Sequence, residues 1–334
     1  MIPRLRAVAA TFVASASLGS AAGCDVGQGP ETGIGEPIQV TNGQFIPGDL
    51  PGSAPLPPDA GGLAPDAAAP PLTVLGETFA SKQIVAGISG KSFGGDVTSD
   101  AVAVGVRIVG QGTGYWVVPV GSLDLQIANA FTFGMSTSFD PNDPPGNQVL
   151  RFVAIGPSGA GGRQNDLPVC FDPRIPDNGH TCLDPKQPYP KAVFSLRWDT
   201  NFDVDLHVVT PAGVDYNPKV PLGEPLEAGV VRSIPADLPF IDRDSLRGCL
   251  PDGLRQEDLV FPDSLPKGTY HVYADPYAAC GQNAAHFTFT LYESSGTCPK
   301  CTQNAVTSRS GELLASQVTG GSAPALFVQD VSVE

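Results

Sequence analysis

Apolar and polar residues alternate in short runs along most of the chain, and Gly, Pro, Asn and Asp separate the runs. A period of two places successive side chains on opposite faces of an extended backbone, so these runs predict strands half buried in sheets. In the region 72–162 the predicted strands are Gln83–Ile88, Ala101–Val109, Tyr115–Val120, Leu123–Ala128 and Asn147–Ile155. A second set begins after residue 190: Val193–Trp198, Val204–Val209, Gly229–Ser233, Thr269–Ala274, His286–Glu293, Glu312–Val318 and Leu326–Val333. Regular short strands with turn residues between them predict an all-β chain of two tandem β-sandwich domains, at 72–162 and 191–334. A polar, Pro-rich connector at 163–190 joins them. No heptads and no solenoid-type repeat occur.

The segment before residue 72 reads differently. Residues 1–23 combine Arg4 and Arg6 with an apolar run from Ala7 to about Leu18 and a small-residue end, which is the pattern of a secretory signal peptide. The run is too short to span a bilayer, which takes about 20 apolar residues. Residues 24–71 are rich in Gly, Pro, Ala and Asp with scarcely an apolar cluster, and are expected to form a disordered, extended tether on the order of 100 Å long at full stretch.

Composition narrows the partners. The formal charge is −15 and becomes −17 once residues 1–23, with two arginines and no acid, are removed. Such a surface excludes nucleic acid, whose phosphates are bound by Lys and Arg, and disfavours docking on anionic lipid. Seven cysteines are present. Setting Cys24 aside, the remaining six are an even set and read in an exported chain as three disulfides. Loop-closure entropy favours the near neighbours Cys170–Cys182 and Cys298–Cys301, leaving Cys249–Cys280. Cys298-Pro299-Lys300-Cys301 has redox spacing, but it follows a predicted strand and a Ser-Ser-Gly turn rather than opening a helix, so a structural bridge is expected.

Five stretches carry three resemblances. Ala21-Ala22-Gly23-Cys24 resembles the lipobox of bacterial lipoproteins, with Ala21 where leucine is usual. The resemblance implies a diacylated Cys24 at the mature N-terminus and a lipid-anchored cell-envelope location, where the outer membrane or cell surface is expected over the inner membrane although Asp25 resembles a retention signal of some bacteria; ordinary cleavage after Ala22 or Gly23 would instead leave a free thiol. The stretch Pro144 to Gly159 is similar to the penultimate strand and turn of bacterial Ig-like domains. Leu196 to Gly213, with its Trp198-Asp199 strand, Asp203-Val204-Asp205-Leu206-His207 strand and Pro211-Ala212-Gly213 turn, resembles the signature of YfaP-like secreted β-sandwich domains. Gln256-Glu257-Asp258-Leu259 and Lys267 to Tyr273 fit the same family, with Gln256 departing from its usual proline and Arg247-Gly248-Cys249 as an insertion. The resemblance implies an Ig-like or jelly-roll-like fold and does not assign an activity.

Candidate chemistry concentrates in that second region. A strand places Val204, Leu206 and Val208 on one face and Asp203, Asp205 and His207 on the other. Two carboxylates about 7 Å apart on one face repel unless a positive group sits beside them. A hard cation, calcium above all, is one answer, with Asp199 as a further ligand and Asp242 and Asp244 as acids on a nearby loop; solvation or capping of turn amides is the other. Glu257 joins the candidate ligands only because it matches the acidic position of the family motif. The spacing of Asp199, Asn201 and Asp203 opens like an EF-hand loop, but Val204 and Thr210 occupy its glycine and glutamate positions, which excludes one.

Other motifs carry less. Gly87 to Ser92 ends like a P-loop, yet Val85 replaces the first glycine. His180, His207, His271 and His286 form no HxH or HxxxH pair, so satisfied or exposed histidines are the expectation, with a zinc site assembled across strands as the alternative. Gly90-Lys91-Ser92-Phe93-Gly94 has the Gly-x-Ser-x-Gly spacing, but no strand-to-helix context of a nucleophile elbow surrounds it, and no His-Glu-x-x-His helix occurs. Tyr115, Trp116 and Trp198 are either a sugar platform or core, and core is the expectation. The chain is therefore expected to be a non-enzymatic, lipid-anchored binding or structural module facing an extracellular protein or glycan. The alternative is an accessory subunit of a secreted hydrolase system.

Overall fold

The computed structural model describes residues 32–55, 72–79, 81–224, 237–298, 300–321 and 325–334. Among the described residues nineteen strands run β1 Ile38–Thr41, β2 Gln44–Pro47, β3 Val74–Phe79, β4 Gln83–Val85, β5 Lys91–Thr98, β6 Ala103–Ile108, β7 Gly114–Pro119, β8 Ala130–Phe139, β9 Gly146–Ile155, β10 Asn165–Asp172, β11 Ala192–Trp198, β12 Asp203–Val209, β13 Asp215–Tyr216, β14 Phe240–Ile241, β15 Gln256–Phe261, β16 Gly268–Ala278, β17 Ala284–Ser295, β18 Thr302–Leu314 and β19 Leu326–Val333. Helical structure among the described residues is confined to two three-residue 3-10 turns, Arg247–Cys249 and Ala315–Gln317. None of it is long and apolar enough to cross a membrane.

The strands form four sheets, ordered β1-β8-β5-β3, β2-β7-β6-β9-β10-β4, β14-β15-β11-β17-β18 and β13-β12-β16-β19. The first two sheets enclose one core, in which Phe93, Val97 and Phe133 of one meet Val104, Val106, Leu150 and Phe152 of the other. The last two enclose a second, where Phe194, Leu196, Leu259 and Phe289 face Val204, Leu206, Tyr270 and Val272. The chain is thus all-β and sandwich-like, as the period of two predicts. Both tryptophans are core: Trp116 packs against Phe45 with the rings tilted by 60° and their centroids 5.6 Å apart and donates Nε1–H to the Ile38 carbonyl at 2.7 Å, and Trp198 is buried in the second cluster.

Several boundaries differ from the expectations. Part of the predicted tether is ordered, because β1 pairs with β8 and β2 with β7 and Ile38, Val40, Phe45 and Leu50 are buried. These apolar residues gain partners from strands that follow much later in sequence, which local composition does not reveal. The predicted connector contains β10, paired on one side with β9 and on the other, in parallel, with β4. Leu123–Ala128 is a turn rather than a strand: Asp124 Oδ1 accepts the amides of Gln126 (2.5 Å) and Ile127 (2.9 Å), an Asx turn that leaves Leu125 exposed. The strand in that region is β8, and β18 starts ten residues before the predicted Glu312 and stops at Leu314. Residues 1–23, Cys24 and Gly229–Ser233 lie outside the described residues.

The two pairs of sheets meet through the loop that follows β14. The Ser92 amide donates to the Pro251 carbonyl at 3.1 Å, buried Lys91 reaches the Asp252 carbonyl at 3.5 Å, and Arg255 reaches Ser89. Gln256 and Arg197 both donate to the Arg174 carbonyl, at 3.1 and 2.9 Å. The P-loop-like Gly87 to Ser92 segment is therefore a junction, and its lysine is packed rather than presented.

Candidate metal centre

Strand β12 buries Val204, Leu206 and Val208 completely in the second core, which fixes its register and turns Asp203, Asp205 and His207 to the other face. Its neighbour β16 places Asp275 directly opposite Asp205. The loop after β14 then brings Asp244 over the strand. Carboxylate oxygens of Asp203, Asp205 and Asp244 lie within 4.8 Å of one another. Asp203 is 1% and Asp205 4% exposed, so two of the three acids are removed from water.

The satisfaction of these groups is uneven. Asp203 Oδ2 accepts the Gly248 amide at 3.2 Å, while its Oδ1 is buried and has no hydrogen-bond partner among the described residues. Asp205 has the Lys219 ammonium 3.5 Å away, and that lysine also lies 4.3 Å over the Tyr277 ring. Asp244 is partly exposed, with the Arg247 guanidinium at 3.7 Å. Burial, reinforced by the neighbouring carboxylates, pushes Asp203 up to about 7 and Asp205 up to about 6, and raises Asp244 as well. An unpaired buried carboxylate oxygen is costly, and a bound cation is the partner that would remove both the desolvation and the repulsion.

Glu257 is placed underneath this cluster rather than in it. It is fully buried in β15, and its two oxygens accept the Leu206 amide at 2.7 Å and the Ser245 amide at 3.1 Å. It brackets the Asp244 loop to β12, and its burial holds its carboxyl well above the usual range. Asp199 is elsewhere: it accepts the His286 amide at 2.9 Å and faces that ring's Nδ1 at 3.0 Å, on the surface. Asp242 is also outside the cluster, buried against Arg243 and accepting the Asp258 amide at 3.0 Å. Of the four predicted ligands the structure therefore brings together Asp203 and Asp205, adds Asp244, and gives Asp199 and Glu257 other partners.

The cysteines are joined as Cys170–Cys182, Cys249–Cys280 and Cys298–Cys301. The second bridge ties the turn that supplies the Gly248 amide to the residues just after β16. The bridge between Cys170 and Cys182 engages both sulfurs near Asp172, so that group offers no thiolate to a metal. The Gly248 amide and Asp275 were not foreseen from sequence; the first depends on the disulfide-held loop and the second on the pairing of strands far apart in the chain.

No family model and no curated protein matches the chain. Among solved structures it has a distant, partial likeness to a tetra-tandem repeat in the extending region of a large adhesion protein, at 10% identity and a TM-score of 0.18, covering 69% of this chain and 63% of that one.

Proposed function

We propose that the chain is a non-catalytic module of the bacterial cell envelope whose second pair of sheets is stiffened by calcium held between Asp203, Asp205 and Asp244. The observation that carries this reading is the unpartnered, buried Oδ1 of Asp203 beside two further carboxylates. Three carboxylates suit a hard cation, and the partly exposed side of the site leaves room for the waters that complete six to eight oxygen ligands. Lys219 would yield Asp205 to the ion and remain over Tyr277. In the same reading Cys24 carries the lipid anchor, the two sandwich-like halves are Ig-like and YfaP-like domains, and the partner is an extracellular protein or glycan. The acidic charge and the three disulfides support that setting.

The test is thermal unfolding with excess calcium and with chelator. An ion that binds only the folded state adds about 2.7 kcal/mol at one hundred times its dissociation constant. The melting temperature should fall on chelation, and Asp203→Asn combined with Asp205→Asn should abolish the difference. Equal melting temperatures in calcium and chelator would remove calcium from the reading.

A further inference from the structure

The face of β12 that carries Asp205 also carries His207, and the surroundings of its ring differ from those of the other three histidines. His207 Nδ1 lies 3.1 Å from Asp215 Oδ2 on β13, a carboxylate placed to accept an Nδ1 proton, and in the neutral ring held this way the lone pair is on Nε2. Nε2 is buried and has no hydrogen-bond partner among the described residues. It points at Asp275 Oδ2, 3.9 Å away, and ligand atoms of Asp205, His207 and Asp275 all lie within 4.8 Å of one another. Asp205 and Asp275 stand opposite each other in the β12–β16 ladder, and both are nearly sealed from water. Like charges directly opposite are destabilising in a sheet, and more so when buried.

A carboxylate that orients a histidine through one ring nitrogen, while the other faces further donors, is the outer shell of a histidine metal site. We propose that His207, Asp205 and Asp275 bind a divalent transition-series cation, zinc in the first instance, with Asp215 as the positioning residue. One imidazole and two carboxylates match the borderline character of zinc, and their two negative charges neutralise it. Donors bound to one zinc at about 2.1 Å stand about 3.4 Å apart, so the 3.9 Å between Nε2 and Asp275 Oδ2 needs a closure of about half an ångström. An open cavity of about 480 Å³, lined by His207, Asp215, Lys219, Tyr273 and Asp275, gives the ion a route and leaves space for a water ligand. Only Asp205 is common to this site and the calcium cluster, and its two oxygens allow it to serve both.

The alternatives on the surface differ. His271 pairs with Asp330 at 2.6 Å and His286 with Asp199 and Glu312, all exposed, and His180 faces the Gln187 carbonyl. The experiment is zinc titration of the full, chelator-stripped chain, followed by calorimetry and by the ring-nitrogen NMR signals of the four histidines. One zinc per chain should bind, with the Nε2 signal of His207 moving and the other three unchanged. His207→Gln and Asp275→Asn should each lower affinity at least tenfold, while Asp244→Asn should leave zinc binding intact and remove the calcium effect on melting. The wild-type NMR result stands even where a variant fails to fold. Zinc that moves the His271 or His286 signals instead, or no zinc binding at all, overturns the proposal and leaves His207 as an ion-pair partner of Asp215 and Asp275. Loss of the calcium effect alone does not touch it.

Discussion

Asp172 shows how one buried carboxyl shapes the response of the chain to pH. Burial drives it up to about 7 despite the nearby Arg243 guanidinium, against about 3.9 in an unfolded chain. Between those values the folded state binds the extra proton, so this contribution to stability is complete below about pH 4 and is lost as pH rises to about 7. Asp258, also raised to about 7, acts in the same direction. Urea unfolding of the metal-free protein should therefore give a higher midpoint at pH 5 than at pH 7.5, and Asp172→Asn should reduce the difference; an unchanged midpoint gap in the variant would assign the effect to other acids. At this scale the sequence was partly legible. The alternation of β12 put Asp203 and Asp205 on one face because three completely buried aliphatic residues hold the opposite face in the core. Glu257, placed by family resemblance, proved to be a bracket between two backbone amides, which only the packing of β15 under the Asp244 loop reveals. Asp275 could not be found locally, since its meaning depends on facing Asp205 across a ladder.

At the scale of elements, the strands that were legible are those with clear apolar alternation, such as β9, β11, β12 and β19. Those that were not are rich in Ser, Thr and Gly, as in β8 and β18, or lie in stretches whose overall composition is that of a linker, as in β1, β2 and β10. Their order comes from partners supplied elsewhere, not from local preference. The loop after β14 belongs to this class. It has little regular structure, and its hold on the acidic cluster depends on Glu257 and on Cys249–Cys280, which closes a separation of 31 residues. Chain entropy assigns such a bridge about 3–4 kcal/mol. Replacing both cysteines by serine should lower stability by about that amount and weaken calcium binding as well, because the Gly248 amide and Asp244 would no longer be held over Asp203. Calorimetric titration of the double variant checks this; unchanged calcium affinity with reduced stability would show the loop to be placed without its staple.

For the whole molecule, the same loop faces both ways. It presents Asp244 to β12 and, eight residues on, the Asp252 carbonyl to Lys91, while the Pro251 carbonyl receives the Ser92 amide. Ordering of the loop by a cation should therefore reach the other half of the chain. Hydrogen exchange at Ser92 should slow on calcium addition and recover with chelator, whereas an unaffected Ser92 amide would mean that the two halves respond independently. A different consequence follows from the pairing of the earliest strands. β1 joins β8, β2 joins β7 and β4 joins β10, so the earliest described strands are held by segments that follow as much as about a hundred residues later. Closing such long loops must precede the gain from the contacts, which makes folding slow and leaves Ile38, Val40 and Phe45 without cover for as long as it lasts. Pulse-labelling during refolding should show the amides of β1 and β2 protected no earlier than those of β8 and β7, and earlier protection would point to local structure that the ladders do not supply. A chain built this way leaves its earliest apolar strands waiting until residue 139 has found them, so its yield on folding should depend on the length of that wait as much as on the final stability of the fold.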